Sequence, residues 1–280
     1  MENTYLKYWG LNQKPFEESV DQNFYFESKI HLEGLSRLQY FIEDGNMHIA
    51  LLTGEVGAGK TLICDKAINA VSKLDYTIFI ENSYLTFDDL IGELIFTLSK
   101  KRIDKEVITN SYMLSKVFET LVIKKLSREN KKLIIILDEC QLMSIDEILK
   151  LRMLSNINRF DNKISLILSG QPELRTVIRD IPQLNQRIGL RYHLKALSFD
   201  DCTQYIQFRL RQAGCFKNIF DDETYELIYS ETRGIPRLIN RHCKLALHFC
   251  AVYNKQRIDA STFALIIDDL LKHDAVALVD

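Results

Sequence analysis

Five groups of residues in this chain have types and spacing that suit chemistry. Gly54-Glu-Val-Gly-Ala-Gly59-Lys60-Thr61 follows the pattern G-x-x-x-x-G-K-[ST]. Glycines at those places let backbone N–H groups turn inward onto phosphate oxygens, and a following helix aims its positive end at the same spot. Lys60 would supply a mobile charge for β- and γ-phosphates, and Thr61 a hydroxyl for Mg²⁺. The segment expected to contact nucleotide is Gly54, Glu55, Val56, Gly57, Ala58, Gly59, Lys60, Thr61 and Leu62, with no side-chain role for Glu55 or Val56. Leu133–Leu137 then runs into Asp138-Glu139. A carboxylate at the end of a buried strand sits where open α/β sheets bind ligands. Asp138 would hold Mg²⁺ through its water shell, and Glu139 would polarise an attacking water.

The remaining groups are polar strand tips and arginines. Ser169-Gly-Gln171-Pro172 ends an apolar run, and Ser169 or Gln171 could contact the γ-phosphate or the attacking water. Arg187, and after it Arg191, could neutralise transition-state charge in a neighbouring subunit. In Gly234-Ile-Pro236-Arg237 a proline opens a helix and a cation sits in its first turn. The helix dipole disfavours a cation there, which points to a bound anion facing Arg237. Guanine-reading proteins usually carry D-x-x-G after the strand that corresponds to Leu133–Leu137, and N/T-K-x-D for the base. This chain continues Asp-Glu-Cys-Gln and has no N-K-x-D, so guanine specificity is not expected.

Elements must position these groups. Apolar residues at helical spacing predict a helix over 29–43, and His48–Thr53 reads as a strand. Helices are expected over 61–71, 86–99, 114–126 and 144–160. Strands are expected at 76–80, 133–137, 164–169 and 190–194. Thr86-Phe-Asp-Asp89 and Ser144-Ile-Asp-Glu147 read as capping boxes. The fold class is therefore α/β, with a parallel five-stranded sheet in which the 164–169 strand slots between the strands that carry the two main motifs. After Leu197 only helices are predicted, over 198–213, 222–232, 236–252 and 259–271. The expected organisation is an aromatic arm and helix packed on the core (1–46), an α/β core (47–196) and a helical lid (197–280).

Bulk composition excludes several classes. With 280 residues and 46% hydrophobic content the chain can bury a sizeable core. A formal net charge of −2 does not suit a polybasic nucleic-acid binder; DNA is possible but not indicated. No basic stretch followed by an apolar run opens the chain, and no run nears the roughly 20 apolar residues of a membrane span. Six scattered cysteines without a C-x-x-C pair read as reduced thiols in a cytoplasmic protein.

Taken together, the motifs are in AAA+ order, and the chain resembles the ExeA-like ATPases, the general secretion pathway protein A family. The resemblance rests on Tyr8-Trp9-Gly10-Leu11, Lys14-Pro15-Phe16, His31, LLTGEVGAGKT, LDECQ, SGQPEL, QRI with RYHL, and GIPRLIN, spanning about residues 5–245. It implies a P-loop core with a helical lid, ATP and Mg²⁺, homo-oligomers with the active site between subunits, and an adenine pocket near the aromatic arm. Members acting in type II secretion usually continue into a membrane span and a peptidoglycan-binding part. The sequence stops at Asp280 without either, so a short form is expected. Three functions follow as expectations. The first is an ATP-hydrolysing assembly factor for a secretion or pilus machine. The second is an ATP-dependent DNA-binding regulator of transposition, for which Lys100-Lys101-Arg102 and Lys124-Lys125 are the basic clusters of the core. The third is a small-molecule phosphotransferase, which Glu139 disfavours because it suits water.

Overall fold

The computed structural model describes residues 4–17, 22–44, 46–70, 75–81, 84–101, 110–157 and 164–276. In chain order these form α1 (Thr4–Trp9), α2 (Lys29–Asp44), β1 (Ile49–Gly54), α3 (Lys60–Ala70), β2 (Tyr76–Ile80), α4 (Phe87–Ser99) and α5 (Ser111–Phe118). There follow α6 (Lys124–Glu129), β3 (Leu133–Leu137), α7 (Ile145–Lys150), α8 (Arg152–Ile157), β4 (Ile164–Gly170), α9 (Glu173–Arg179), α10 (Pro182–Asn185) and β5 (Ile188–Leu194). The last four are α11 (Phe199–Gln212), α12 (Asp222–Thr232), α13 (Pro236–Val252) and α14 (Ala260–Val276). By contacts the chain divides into an α/β unit (His31–Glu55, Lys60–Leu194) and a helical unit (Met1–Ile30, Val56–Gly59, Lys195–Asp280).

In the α/β unit five parallel strands are ordered β2-β3-β4-β1-β5, so β4 does lie between the two motif-bearing strands. Every residue of β1, β3 and β4 is buried, as runs of Ile and Leu in central parallel strands require. Leu51, Leu168 and Leu137 pair in register on one face and pack with Leu94, Phe118, Ile148 and Leu174 from the helices there. The opposite face buries Ala50, Leu52, Ile136 and Ile167, and α3 packs on β1 and β4. A Cβ on Gly34 of α2 would lie 2.9 Å from the Tyr192 ring edge, so α2 sits close on β5.

Local signals account for most boundaries. Thr86 and Asp89 form a reciprocal capping box at α4, worth about 1 kcal/mol. The second expected box is only half made. Ser144 accepts from Glu147 N, but the Glu147 carboxylate accepts from Phe87 N at the start of α4 and from Lys150 Nζ instead. Tertiary packing thus offers Glu147 a better pair of donors than its own helix start. The helix expected over 114–126 starts earlier, because Asn110 caps it through Met113 N. It then passes through a π turn at Glu119–Ile123 before α6. Strand β5 begins two residues before its expected start, at Ile188. The part of the predicted 144–160 helix beyond residue 157, and Val71 of the 61–71 helix, lie outside the described residues.

The helical unit explains the aromatic arm, and here the structure departs from the expected division. By contacts the described residues up to Ile30 group with α11–α14. Trp9 Nε1 donates to Leu247 O at 2.9 Å, and Tyr5, Trp9, Phe16 and Phe24 share a core with Ile206, Ile239 and Leu247. Arg209, 6% exposed, is held there by the arm. Its Nε donates to Pro15 O, Nη1 to Tyr205 Oη and Nη2 to Glu17 O. A buried guanidinium is tolerable only with such partners, and no local pattern in the arm announces that it supplies them. Trp9→Ala should therefore destabilise the helical unit by about 3–5 kcal/mol. Urea denaturation followed by far-UV circular dichroism checks this, and a loss under about 1 kcal/mol would show the arm to be dispensable.

Candidate nucleotide-phosphate site

The glycine turn of the sequence is a loop joining β1 to α3. Gly57 and Gly59 have φ of +79° and +101°, the left-handed side of backbone space that glycine reaches without strain. Lys60 is 5% exposed, and its Nζ donates to Gly54 O at 2.9 Å and Glu55 O at 3.1 Å. The ammonium is thus held inside the turn by carbonyls of the loop itself. The loop tip Val56–Gly59 belongs by contacts to the helical unit. There Arg237 N approaches Gly57 O at 3.4 Å, and a Cβ on Gly57 would lie 2.4 Å from Arg237 Cβ. Glycine at 57 is therefore demanded twice, by its φ and by this close approach. Pro236 occupies the first turn of α13, as the sequence predicted, after a turn in which Arg233 and Gly234 have positive φ.

The second cluster centres on Asp138, 3% exposed at the end of β3. Thr61 Oγ1 donates to its Oδ2 at 2.5 Å, and Ser169 Oγ to its Oδ1 at 2.6 Å. Glu139 N donates to Oδ1 at 3.0 Å. One carboxylate therefore joins the first turn of α3, the tip of β3 and the tip of β4. The residue after it, Glu139, has φ +54° and ψ +38°, unusual for a side-chain-bearing residue. That turn separates the two carboxylates. Asp138 goes inward to Thr61, while Glu139 goes to Gln141 Nε2 at 2.5 Å and Gln171 Nε2 at 3.4 Å. Gln141 Oε1 in turn accepts from Gln171 N at 3.0 Å. Gly170 leaves room for this amide, since a Cβ there would meet Gln141 Oε1 at 2.6 Å.

Gln141 was not among the candidate residues read from the sequence. Its signal was an amide two residues after a strand-end glutamate, which becomes meaningful only once β4 is known to lie beside β3. Ser169 is fully buried and its hydroxyl donates to Asp138. Negative charge accumulates around the cluster. Burial first, then Glu81 and Asp138, raise the Asp65 carboxyl above its ordinary value. Thr61 and Asp138, adjacent oxygen donors in an acidic setting, fit a hard divalent cation.

Other candidates lie elsewhere. Arg187 immediately precedes Ile188, which pairs with Ile49 at the start of β1. The phosphate loop leaves the far end of that strand, about 20 Å away. Arg191 Nη2 donates to Asn185 O and Oδ1, both at 2.7 Å. Lys100 ends α4 with φ +57°, and Lys125 Nζ donates to Leu98 O, so both have work at the end of that helix. Arg102 lies outside the described residues. All six cysteines are buried thiols; burial pushes Cys202 up to about 12 and Cys250 up to about 11.

Comparison with known proteins agrees with this geometry. A family model described as an AAA domain matches residues 44–178. General secretion pathway protein A of Aeromonas hydrophila is 32% identical over 246 residues, which are 87% of this chain and 44% of that protein. This chain thus spans less than half the length of that relative. Among solved structures, the Aeropyrum pernix ORC2 protein in its ADP form superposes with a TM-score of 0.66 at 17% identity, covering 92% of this chain and 72% of that one. Drosophila ORC bound to DNA gives 0.69 at 12% identity, covering 96% and 66%. The Thermotoga maritima RuvB Holliday junction branch migration motor gives 0.54 at 15% identity, covering 92% and 74%. At these identities the structures speak for the fold alone: a parallel P-loop sheet with a helical C-terminal part. The chain thus has the P-loop fold, matches an AAA domain over residues 44–178 and is a relative of general secretion pathway protein A along 87% of its own length.

Proposed function

We propose that this protein binds ATP with Mg²⁺ at the Gly54–Leu62 loop and hydrolyses it to drive assembly or remodelling of a partner complex. The observation that carries the reading is the division of labour between adjacent carboxylates. Asp138 is buried and tied to Thr61, whereas Glu139 is turned away by its left-handed backbone and held at the strand tips by two amides. A phosphotransferase needs an acceptor site in place of the second carboxylate; a hydrolase needs a base for water.

Lys60 Nζ exchanges its loop carbonyls for β- and γ-phosphate oxygens, and the N–H groups of Gly57–Thr61 cradle the rest. Thr61 and Asp138 would hold Mg²⁺, which when bound would supply positive charge to the phosphate oxygens. Glu139 accepts the proton of the water that attacks the γ-phosphorus, and Gln171 orients that water from the tip of β4. Gln141 fixes the Glu139 carboxylate. Ser169 fixes Asp138. Arg237, against the loop tip, reports the γ-phosphate to the helical unit. Arg187 is too far from its own chain's loop and acts, in this reading, on the nucleotide of a neighbouring copy in a homo-oligomer. Work on a secretion or pilus machine is the client reading supported by the similarity to general secretion pathway protein A, and a cytoplasmic setting goes with it.

Lys60→Ala should abolish ATP binding measured by calorimetry; unchanged affinity would remove the loop assignment. Glu139→Gln should bind ATP normally and hydrolyse it about 10²–10⁴-fold more slowly, and a wild-type rate in a phosphate-release assay would exclude Glu139 as the base. Gln141→Ala should lower kcat about 10-fold, the size of one charge-assisted hydrogen bond, with KM unchanged. A rise in KM alone would make Gln141 a binding residue instead. Mixed oligomers of Arg187→Ala and Lys60→Ala chains should regain part of the activity, and no recovery in demonstrably mixed species would overturn action between subunits.

A further inference from the structure

The α/β unit carries a second cationic site that the phosphate loop does not use. On the sheet face opposite α3, β1 is buried while Arg191 of the edge strand β5 is exposed. Cross-strand register places Leu51 beside Arg191 and Thr53 beside His193 on that face. Between these strands and α9 lies a cleft of about 690 Å³. Arg175 and Arg179 come from α9, Arg191 from β5 and Asn185 from α10, and the floor includes Thr53 and His193. Among the described residues no acidic side chain lines it, in a chain whose net charge is −2.

Three features mark this as a built site. Arg175 and Arg179 are four residues apart on one helix, so their like charges repel across one turn and gain by a shared anion. Arg191 is oriented in advance by two hydrogen bonds to Asn185. Thr53 Oγ1 and His193 Nδ1 lie 3.1 Å apart and fix the floor. Arg179 Nε lies 3.6 Å from Asp180 Oδ1, an exposed pair that water screens.

We infer that this cleft is a polyphosphate-binding site distinct from the phosphate loop. Guanidinium forks match phosphate oxygens bidentately. Three of them, from two elements, suit a ligand with more than one phosphoryl group. The volume is that of a small-molecule site, not of a track along a duplex. Such phosphates come either from a free nucleotide or polyphosphate, or from a nucleotide held by another copy of the chain. The site requires no hydrolysis and stands whether or not Glu139 acts as the base.

The test uses the full chain carrying Lys60→Ala, so that its own loop is disabled, in low salt. In one arm tripolyphosphate is titrated calorimetrically into this protein. In the other, ATP-loaded wild-type chain is added to it and association is followed by ultracentrifugation. A free ligand gives binding in the first arm, and a nucleotide carried by another copy gives association in the second. In whichever arm responds, adding Arg175→Ala and Arg179→Ala should weaken binding about 100-fold or more. Arg175→Lys with Arg179→Lys should weaken it about 10-fold, because charge remains and the fork is lost. An unchanged thermal melt shows that these exposed replacements leave the fold intact. Silence in both arms, or binding indifferent to Arg175 and Arg179, overturns the inference. So does a 20-base-pair duplex that binds through these arginines while tripolyphosphate does not.

Discussion

A carboxylate cannot be buried without partners, and Asp138 organises the α/β unit around that constraint. At 3% exposure it takes hydrogen bonds from Thr61, Ser169 and the Glu139 backbone. Those donors come from the first turn of α3, from β4 and from the turn after β3. The phosphate loop, the metal-suited hydroxyl and the polar strand tip therefore share one origin. Displacing β4 from its place between β3 and β1 would take Ser169 from Asp138 and detach Gln171 from Glu139 together. The costly desolvation of one group enforces the geometry of the rest.

The helical unit obeys the same rule with the opposite sign. Arg209 is a buried cation, and the main-chain carbonyls of Pro15 and Glu17 in the arm help to satisfy it. The arm thereby supplies polar partners as well as the aromatic rings that fill the core of α11–α14. Close backbone approach adds a second constraint. Gly234, with φ +74°, leaves space for Leu197 O, which a Cβ would meet at 2.1 Å, and Gly57 does the same for Arg237. Arg237 reaches the loop tip because two glycines permit what any side chain would block.

Much of this was legible in the residues. Lys60, Thr61 and Asp138 could be placed because their signals are local: a glycine turn between strand and helix, and an acid ending an apolar run. The alternation of strands and helices identified the sheet, and even the position of β4 was anticipated. Glu147 was misread because its local partner competes with Phe87 N, sixty residues away in sequence. The arm was assigned to the wrong unit because aromatic composition says that a segment is buried but not against what.

What the sequence by itself determined was the strands and the longer helices and the identity of the loop, since these depend on periodicity and on residues within a few positions of one another; it did not announce the short helices α1, α9 and α10. Tertiary structure alone decided the partners. It set Gln141 on Glu139, committed Ser169 to Asp138, placed Arg187 far from its own loop and left three arginines around a cleft beside the edge strand. Each of these depends on which strands lie side by side. Strand order follows from burying both sheet faces at once, a property of the whole unit that no stretch of sequence carries.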